Sequence, residues 1–187
     1  MKKNKRRIIV CLSLVSVLIG SYIISWIWFY NYKIMPIVQI ADDNQYETET
    51  IKGVMGRFDS FNNKKLCGEI SIGIPDFGKF SGNVSILQGT MIDENDKIIN
   101  KYNVDLSIFI KFNNKYFITI YESNNNENRL EIASNAIDRF EVDKDMNILN
   151  KESHTAYSLK IFEEQMPIIL DLKAELIDRF GEEILFD

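Results

Sequence analysis

The hydrophobic pattern of the chain begins with one long uncharged run at residues 8–30. A helix needs about 20 predominantly apolar residues to cross the hydrocarbon core of a bilayer, and this run is longer than that. Its far end is rich in Trp and Tyr, which settle at headgroup depth in membrane proteins. The pattern therefore predicts a transmembrane helix at residues 8–30, preceded by a basic tail at residues 1–7.

Basic residues flank this run unevenly, since five lie within residues 1–7 and only Lys33 follows closely. The positive-inside bias then places the N-terminus in the cytoplasm and the rest of this single-pass chain outside the cell membrane. A cleaved signal peptide is the alternative, with cleavage after Ser21 or Ser25. The run is too long for that class of segment and lacks an A-x-A-like site, so we expect a retained anchor.

Within the apolar run, Ser16 and Gly20 lie four residues apart. Small residues at this spacing let two membrane helices approach closely, which offers a face for a homo-oligomer. The alternative is that this spacing has no role in pairing, because small residues are common in membrane helices. The expected partners are thus the lipid bilayer, a protein of the envelope and a second copy of the chain.

The pattern beyond the apolar run predicts a linker at residues 31–50 and a folded domain at residues 51–187. The apolar residues at 51–58 have helical spacing, but two glycines in this stretch disfavour a helix. The sequence is therefore compatible with either a short helix or a strand here. From residue 66 apolar and polar residues alternate, which predicts strands. Further strands are predicted at residues 84–93, from 98 onward, at 130–134 and at 139–142.

The clearest predicted hairpin turns at residues 113–115. A three-residue loop there pairs Ile110 with Ile118 and Ile108 with Ile120, and it keeps the apolar sets of both strands on one face. A two-residue Asn-Asn loop suits the local turn chemistry but would put the two sets on opposite faces. The apolar set of the first strand is Leu106, Ile108, Ile110 and Phe112.

After residue 157 the period changes from two to that of a helix. Gly181 lies where a helix C-terminus belongs, and Pro167 either kinks the helix or starts its second half. The fold class is therefore predicted to be α+β, with an antiparallel sheet and a C-terminal helix across one face. We expect the apolar stripe to be core rather than a docking face, because the sheet needs a cover. The stripe comprises Leu159, Phe162, Met166, Ile169, Leu170, Leu172, Leu176, Ile177 and Phe180.

Composition and charge narrow the class of protein. Hydrophobic residues make up 45% of the chain and charged residues 26%, as in folded proteins. Residues 1–33 hold six of the 22 basic residues and none of the 27 acidic ones, so residues 34–187 carry a formal charge of −11. A domain this acidic is a poor nucleic-acid binder. The abundance of Asn, Ile and Lys is typical of a low-GC bacterial genome.

Two stretches approach known ligand motifs but miss them. Residues 73–79 satisfy G-x-x-x-x-G-K, yet the next residue is Phe80 where a P-loop needs Ser or Thr for magnesium. We interpret this stretch as a glycine-punctuated hairpin or loop. Residues 143–147 copy the start of an EF-hand loop, but its sixth and twelfth positions are Ile148 and His154. A turn between two strands accounts for the same polar residues.

Residues for catalysis are few. His154 is the single histidine, which excludes a multi-histidine zinc site, and a Cys–His nucleophile would require Cys67 and His154 to meet in space. We therefore predict that the chain is not an enzyme, with no catalytic residue, no metal site and no cofactor. The sequence favours a membrane-anchored extracytoplasmic binding or assembly protein of a bacterial envelope. The alternative is an extracytoplasmic sensor, immunity or inhibitor protein that captures a small ligand or peptide.

Overall fold

A computed structural model of the protein describes residues 2–51, 54–62, 66–88, 101–122 and 136–186. Four α-helices are present in this part of the chain, with a π-helical turn at Tyr30–Ile34 and a 3₁₀ turn at Lys151–Ser153. The helices are α1 (Lys2–Phe29), α2 (Met35–Asp43), α3 (Ala156–Phe180) and α4 (Glu182–Leu185). The strands are β1 (Glu47–Ile51), β2 (Val54–Asn62), β3 (Cys67–Gly73), β4 (Gly82–Gln88), β5 (Tyr102–Ile110), β6 (Lys115–Glu122) and β7 (Ala136–Val142).

The seven strands form one antiparallel sheet in which each strand pairs with its neighbours in the chain, in the order β1 to β7. The predicted α+β class, an antiparallel sheet with a C-terminal helix, is confirmed. The region with helical spacing is extended, since β2 covers residues 54–62. The last predicted strand is confirmed and longer, because β7 begins at Ala136. Three parts of the predicted strands lie outside the described residues: the strand at 130–134, residues 98–100, and residues 89–93 of the strand predicted at 84–93.

Alternation divides the sheet into two faces. In β5 the even-numbered residues are apolar and buried, whereas the odd-numbered ones include Asn103, Asp105 and Ser107. Leu106 pairs with Ile86 and with Ile118, so the apolar set continues across the neighbouring strands. We call this side the core face and the opposite side the open face. Buried on the core face are Ile70, Ile72, Val84, Ile86, Val104, Leu106, Ile108, Ile110, Tyr116, Ile118, Ile120, Phe140 and Val142.

The C-terminal helix α3 packs on the core face. Thr155 caps its first turn, since the Thr155 hydroxyl accepts the backbone N–H of Ser158 at 3.1 Å. Gly181 ends it in a left-handed conformation with φ 82°, as predicted, and Pro167 lies inside the helix. The stripe is confirmed as core with one exception, because Leu170 is 48% exposed. Its fully or almost fully buried members are Phe162, Ile169, Leu172, Leu176 and Phe180.

The segment expected to be a linker is instead part of the folded unit. Helical structure continues from α1 through Tyr30–Ile34 into α2, and β1 already begins at Glu47. Pro36 explains the wider π turn, because its ring has no N–H and would clash with the carbonyl four residues earlier in a regular helix. The helix buries one face of α2 in the core through Ile37, Val38 and Ala41. The polar residues that suggested a linker lie at the exposed end of this helix and in β1.

The register predicted for the hairpin between β5 and β6 is wrong by four residues. Leu106, not Ile110, pairs with Ile118, and the loop consists of residues 111–114. A shift of four, like any even shift, preserves which face each side chain points to, so the predicted faces are correct. The reason is Phe112, which leaves the sheet and packs its ring 5.4 Å from that of Phe29.

Candidate functional site

The open face carries a row of side chains that crosses five strands. Pairing aligns residues from β2 to β6, and the middle three are serines. The Ser85 hydroxyl donates to that of Ser107 at 3.2 Å, which links two neighbouring strands. The result is a shallow polar trough with an aromatic ring at each end. In strand order the row is Phe58, Ser71, Ser85, Ser107 and Phe117.

Shallow grooves lie beside this row, on both sides of Asn83. The Asn83 side chain crosses directly over Gly73, where an added Cβ would approach Asn83 Oδ1 to 2.0 Å. Gly73 therefore makes room for the amide, which itself donates to Ser85 at 3.4 Å. Phe109 borders one groove and Phe58 the other. Amide, hydroxyl and aromatic groups thus converge on one part of the open face.

The same face holds a buried acid. Asp105 is 8% exposed, and burial raises the pKa of its carboxyl to about 7 although a hydrogen bond with Tyr121 acts in the opposite direction. The pKa of the Tyr121 phenol is raised to about 12, mainly by burial and to a smaller extent by the charge of Asp105. The carboxyl therefore changes its charge near neutral pH, while the phenol stays protonated and able to donate.

A cation lies near this acid. Asp105 pairs with Thr119 and Thr119 with Arg139, so the three residues form one row across β5, β6 and β7. The Arg139 guanidinium lies 4.3 Å from the ring centroid of Phe117 and 5.6 Å from that of Phe109. Because this guanidinium is exposed, its N–H donors can be reached by an acceptor outside the chain.

Cys67 and His154, the pair considered for nucleophilic catalysis, are not brought together. Cys67 is on the open face of β3, whereas the His154 ring packs 4.5 Å from that of Phe140 on the core face of β7. Three strands lie between β3 and β7, which amounts to about 19 Å at the usual strand spacing. A cysteine–histidine nucleophile does not form in this structure.

His154 instead belongs to a polar cluster that fixes the start of α3. Its Nδ1 lies 2.9 Å from Asp138 Oδ2. Burial alone would raise the pKa of the Asp138 carboxyl, but hydrogen bonds from Ser158 and His154 outweigh burial and hold that pKa below its usual range. The His154 side chain is 10% exposed and that of Asp138 is 25% exposed, and their contacts with each other and with the start of α3 account for them as structural groups.

Both near-miss motifs form the turns predicted for them. Residues 74–81 connect β3 to β4 without a helix, and Gly73 pairs with Asn83 across the hairpin. At residues 143–147 the Asp143 carboxylate accepts the backbone N–H groups of Asp145 and Asn147 at 2.9 and 2.8 Å. Val142 and Ile148 then form a bridge beyond this turn. Within the described residues no group of three or more His, Cys, Asp and Glu side chains is placed to hold a metal ion.

The N-terminal helix is long and apolar enough to cross a membrane. From Val10 to Asp43 it is continuous, and no residue of its most apolar 18-residue window is buried in the protein. Ser16 and Gly20 lie on this segment. The Ser16 hydroxyl donates to the carbonyl of Leu12 at 2.9 Å, and among the described residues nothing beyond Gly20's own stretch of helix lies within 4 Å of the position of a Cβ there. The face around Gly20 is therefore open within one copy of the chain.

Comparisons with protein-family models, with curated proteins and with solved structures find no match to this chain.

Sequence reasoning did not single out the residues of the open face. The signal was present in β5, where Asn103, Asp105 and Ser107 alternate with apolar residues. Alternation of this kind predicts a wet face, and it does not distinguish a solvated face from a binding face. The burial of Asp105 depends on which strands lie next to it, and that information comes only from the fold.

Proposed function

We propose that this protein is a membrane-anchored, extracytoplasmic binding or assembly protein, and that the open face of its sheet is the contact surface. The observation that carries the proposal is the composition of that face. Serine, asparagine and glycine form a trough, aromatic rings border it, and Arg139 and Asp105 flank it. No described helix packs on these side chains, because α2, α3 and α4 contribute to the core on the other side.

Anchoring is supported by the continuity of the N-terminal helix with the core. Phe29 is fully buried, and Ile34 and Ile37 are almost fully buried, directly beyond the apolar segment. Cleavage after Ser21 or Ser25 would leave a helix whose first residues pack on the sheet but whose membrane segment is missing. Because the apolar segment continues into the folded domain without a break, retention of the whole helix is the simpler explanation.

The extracytoplasmic orientation is supported by charge. The basic residues of the tail precede the apolar run, and the domain that follows is strongly acidic. Because cytoplasmic flanks carry the excess of Lys and Arg, the domain belongs on the far side. Protease added to intact spheroplasts should degrade the domain and spare an N-terminal tag. Degradation of the tag with survival of the domain would reverse the orientation.

Binding through the open face is supported by the kinds of side chain there. Aromatic rings and arginine are enriched at protein interfaces, and a backbone flanked by serine and glycine permits close approach of a partner. The grooves beside Asn83 suit a segment of polypeptide better than an enclosed small molecule, since they are shallow and open. An extended stretch of a partner envelope protein is the occupant that fits this shape.

Site-specific photocrosslinking in membranes tests this surface. A benzophenone amino acid at Phe109 should give one major adduct, and the same group at Leu170 on the outer side of α3 should give none. Leu170 is the matched control because it is a large, exposed apolar residue on the opposite side of the domain. Equal adducts from both positions, or an adduct from Leu170 alone, would refute the open face as the contact surface.

A further inference from the structure

The loop between β3 and β4 is fastened to the outer end of the membrane helix. The Phe77 ring lies 4.5 Å from Trp26, and the Phe80 ring lies 5.4 Å from Tyr22. The Trp26 indole N–H donates to the carbonyl of Lys79 at 3.1 Å, and the Tyr22 hydroxyl donates to the carbonyl of Gly78. These contacts fix the height of the loop along α1.

The loop between β5 and β6 meets the same part of the helix. The ring of Phe112 lies 5.4 Å from that of Phe29 and 6.2 Å from that of Trp28. Phe112 also stacks on Phe80 at 5.5 Å, so the two loops touch each other. Both loop tips therefore point along the helix toward the segment that is apolar enough to lie in a bilayer.

Large apolar side chains on these tips remain exposed. Phe77 is 72% exposed and Phe112 is 53% exposed, beside Trp28 at 48%. A contiguous group of exposed rings marks a surface that meets another apolar phase. Tryptophan is enriched at the membrane–water interface, and phenylalanine, which has no polar edge, belongs to the apolar face that interfacial segments bury in lipid.

The length of the helix determines how deep the tips lie. Only residues 8–21 of the apolar run precede Tyr22, where the loop is attached. These 14 residues span about 21 Å at 1.5 Å per residue, whereas the hydrocarbon core is about 30 Å thick. If the loops stayed in water, the helix would be about 9 Å too short to cross. The outer loops must therefore enter the interface, or the bilayer must thin around them.

We infer that residues 74–81 and 111–114 form a second membrane contact, which inserts Phe77 and Phe112 among the lipid headgroups and upper acyl chains beside the anchor. The inference rests on the anchor of the proposed function, and it holds for either orientation of the helix. A bilayer surface is the occupant because these tips are continuous with the membrane segment itself.

Several polar groups of the loop between β3 and β4 have partners within the protein, as a segment close to the hydrocarbon core requires. Backbone carbonyls near the hydrocarbon need an internal partner, and Tyr22 and Trp26 supply donors to the two at the turn. Lys79 and Asp76 form an ion pair within the loop, so its charges cancel locally. The tip thus presents an apolar ring to the lipid without an unpaired carbonyl at Gly78 or Lys79.

The test measures the depth of single positions in lipid. The full-length chain, with Cys11→Ala and Cys67→Ala, is placed in nanodiscs of phosphatidylcholine and phosphatidylglycerol and spin-labelled at one introduced cysteine. Phe77→Cys and Phe112→Cys report the tips, Leu14→Cys reports the anchor, and Ser60→Cys, exposed on β2, reports water. Accessibility to oxygen and to a water-soluble nickel complex gives the depth, and a melting curve of each variant verifies the fold.

Labels at positions 14, 77 and 112 should all favour oxygen over nickel, while the label at position 60 should favour nickel. If position 14 is deep but both tips match position 60, the second membrane contact is refuted and the anchor remains. If position 14 also matches position 60, the anchor itself is refuted, and this inference falls with it.

Discussion

Neighbouring residues of β4 have opposite surroundings. Val84 and Ile86 are fully buried on the core face, under the helices, while Asn83 and Ser85, which alternate with them along the strand, lie partly exposed on the open face. The core face is mostly apolar from β3 to β7, and α2, α3 and α4 all contribute side chains that cover it. The open face is built from the same strands but carries polar and aromatic groups that no described helix covers. One face therefore maintains the fold, and the other is the face that we propose as the contact surface.

The largest expected difference between the faces comes from adding a charge to each. Ile86→Asp should unfold the domain, because a carboxylate without a partner is buried at a loss of several kcal/mol. Ser85→Asp, one residue away on the open face, should change stability by less than about 1 kcal/mol. Urea denaturation of the two variants measures both values. Similar losses would mean that both faces are core.

Shortening core side chains on α3 tests the cover of the sheet. Leu172→Ala and Leu176→Ala should each lower the free energy of unfolding by about 2–5 kcal/mol, the range for large-to-small changes in a core. Leu170→Ala is the matched control on the same helix and should be nearly neutral, since that side chain is half exposed. Thermal melts followed by circular dichroism measure the differences. A neutral Leu176→Ala would show that α3 does not form the core.

The buried acid of the open face gives a prediction about pH. The pKa of Asp105 is about 7 in the folded state and about 3.9 in the unfolded state, so the folded protein binds the extra proton between these values. Stability contributed by this group is therefore present below pH 4 and falls as pH rises to 7. Asp105→Asn should be about 2–4 kcal/mol more stable than the parent chain at pH 8 and about equal at pH 4.

Urea denaturation at both pH values measures this effect. Asp145→Asn, in an exposed turn, serves as the control with the same change of charge. A difference between Asp105→Asn and the parent chain that does not depend on pH would contradict the raised pKa.

A smaller effect is expected at the end of β4. Gln88 is 2% exposed, and its side-chain amide has no hydrogen-bond partner among the described residues. Gln88 pairs with Gly68 and lies on the core face, where a polar group without a partner lowers stability. Gln88→Leu should raise the free energy of unfolding by about 1 kcal/mol, and Gln88→Glu should lower it by more. A loss of stability in Gln88→Leu would show that the amide is satisfied.

Alternation was sufficient to predict the faces of β3, β5 and β6, because a period of two depends only on local sequence. It was not sufficient for register, since pairings two residues apart satisfy the same faces, and the position of Phe112 depends on a helix eighty residues earlier. The burial of α2 was missed because its apolar residues follow closely on the membrane run and its end is polar. Asp105 was missed because nothing local distinguishes a buried acid from a solvated one.

The most direct test of the open face as the contact surface measures both folding and crosslinking in one pair of samples. The chain with a benzophenone at Phe109 is compared with the same chain carrying Ser85→Arg and Ser107→Arg, which fill the trough of the open face. The account predicts melting temperatures within a few degrees of each other and loss of the adduct in the filled variant. An adduct of equal yield from the folded, filled variant would contradict the claim that the open face is the contact surface.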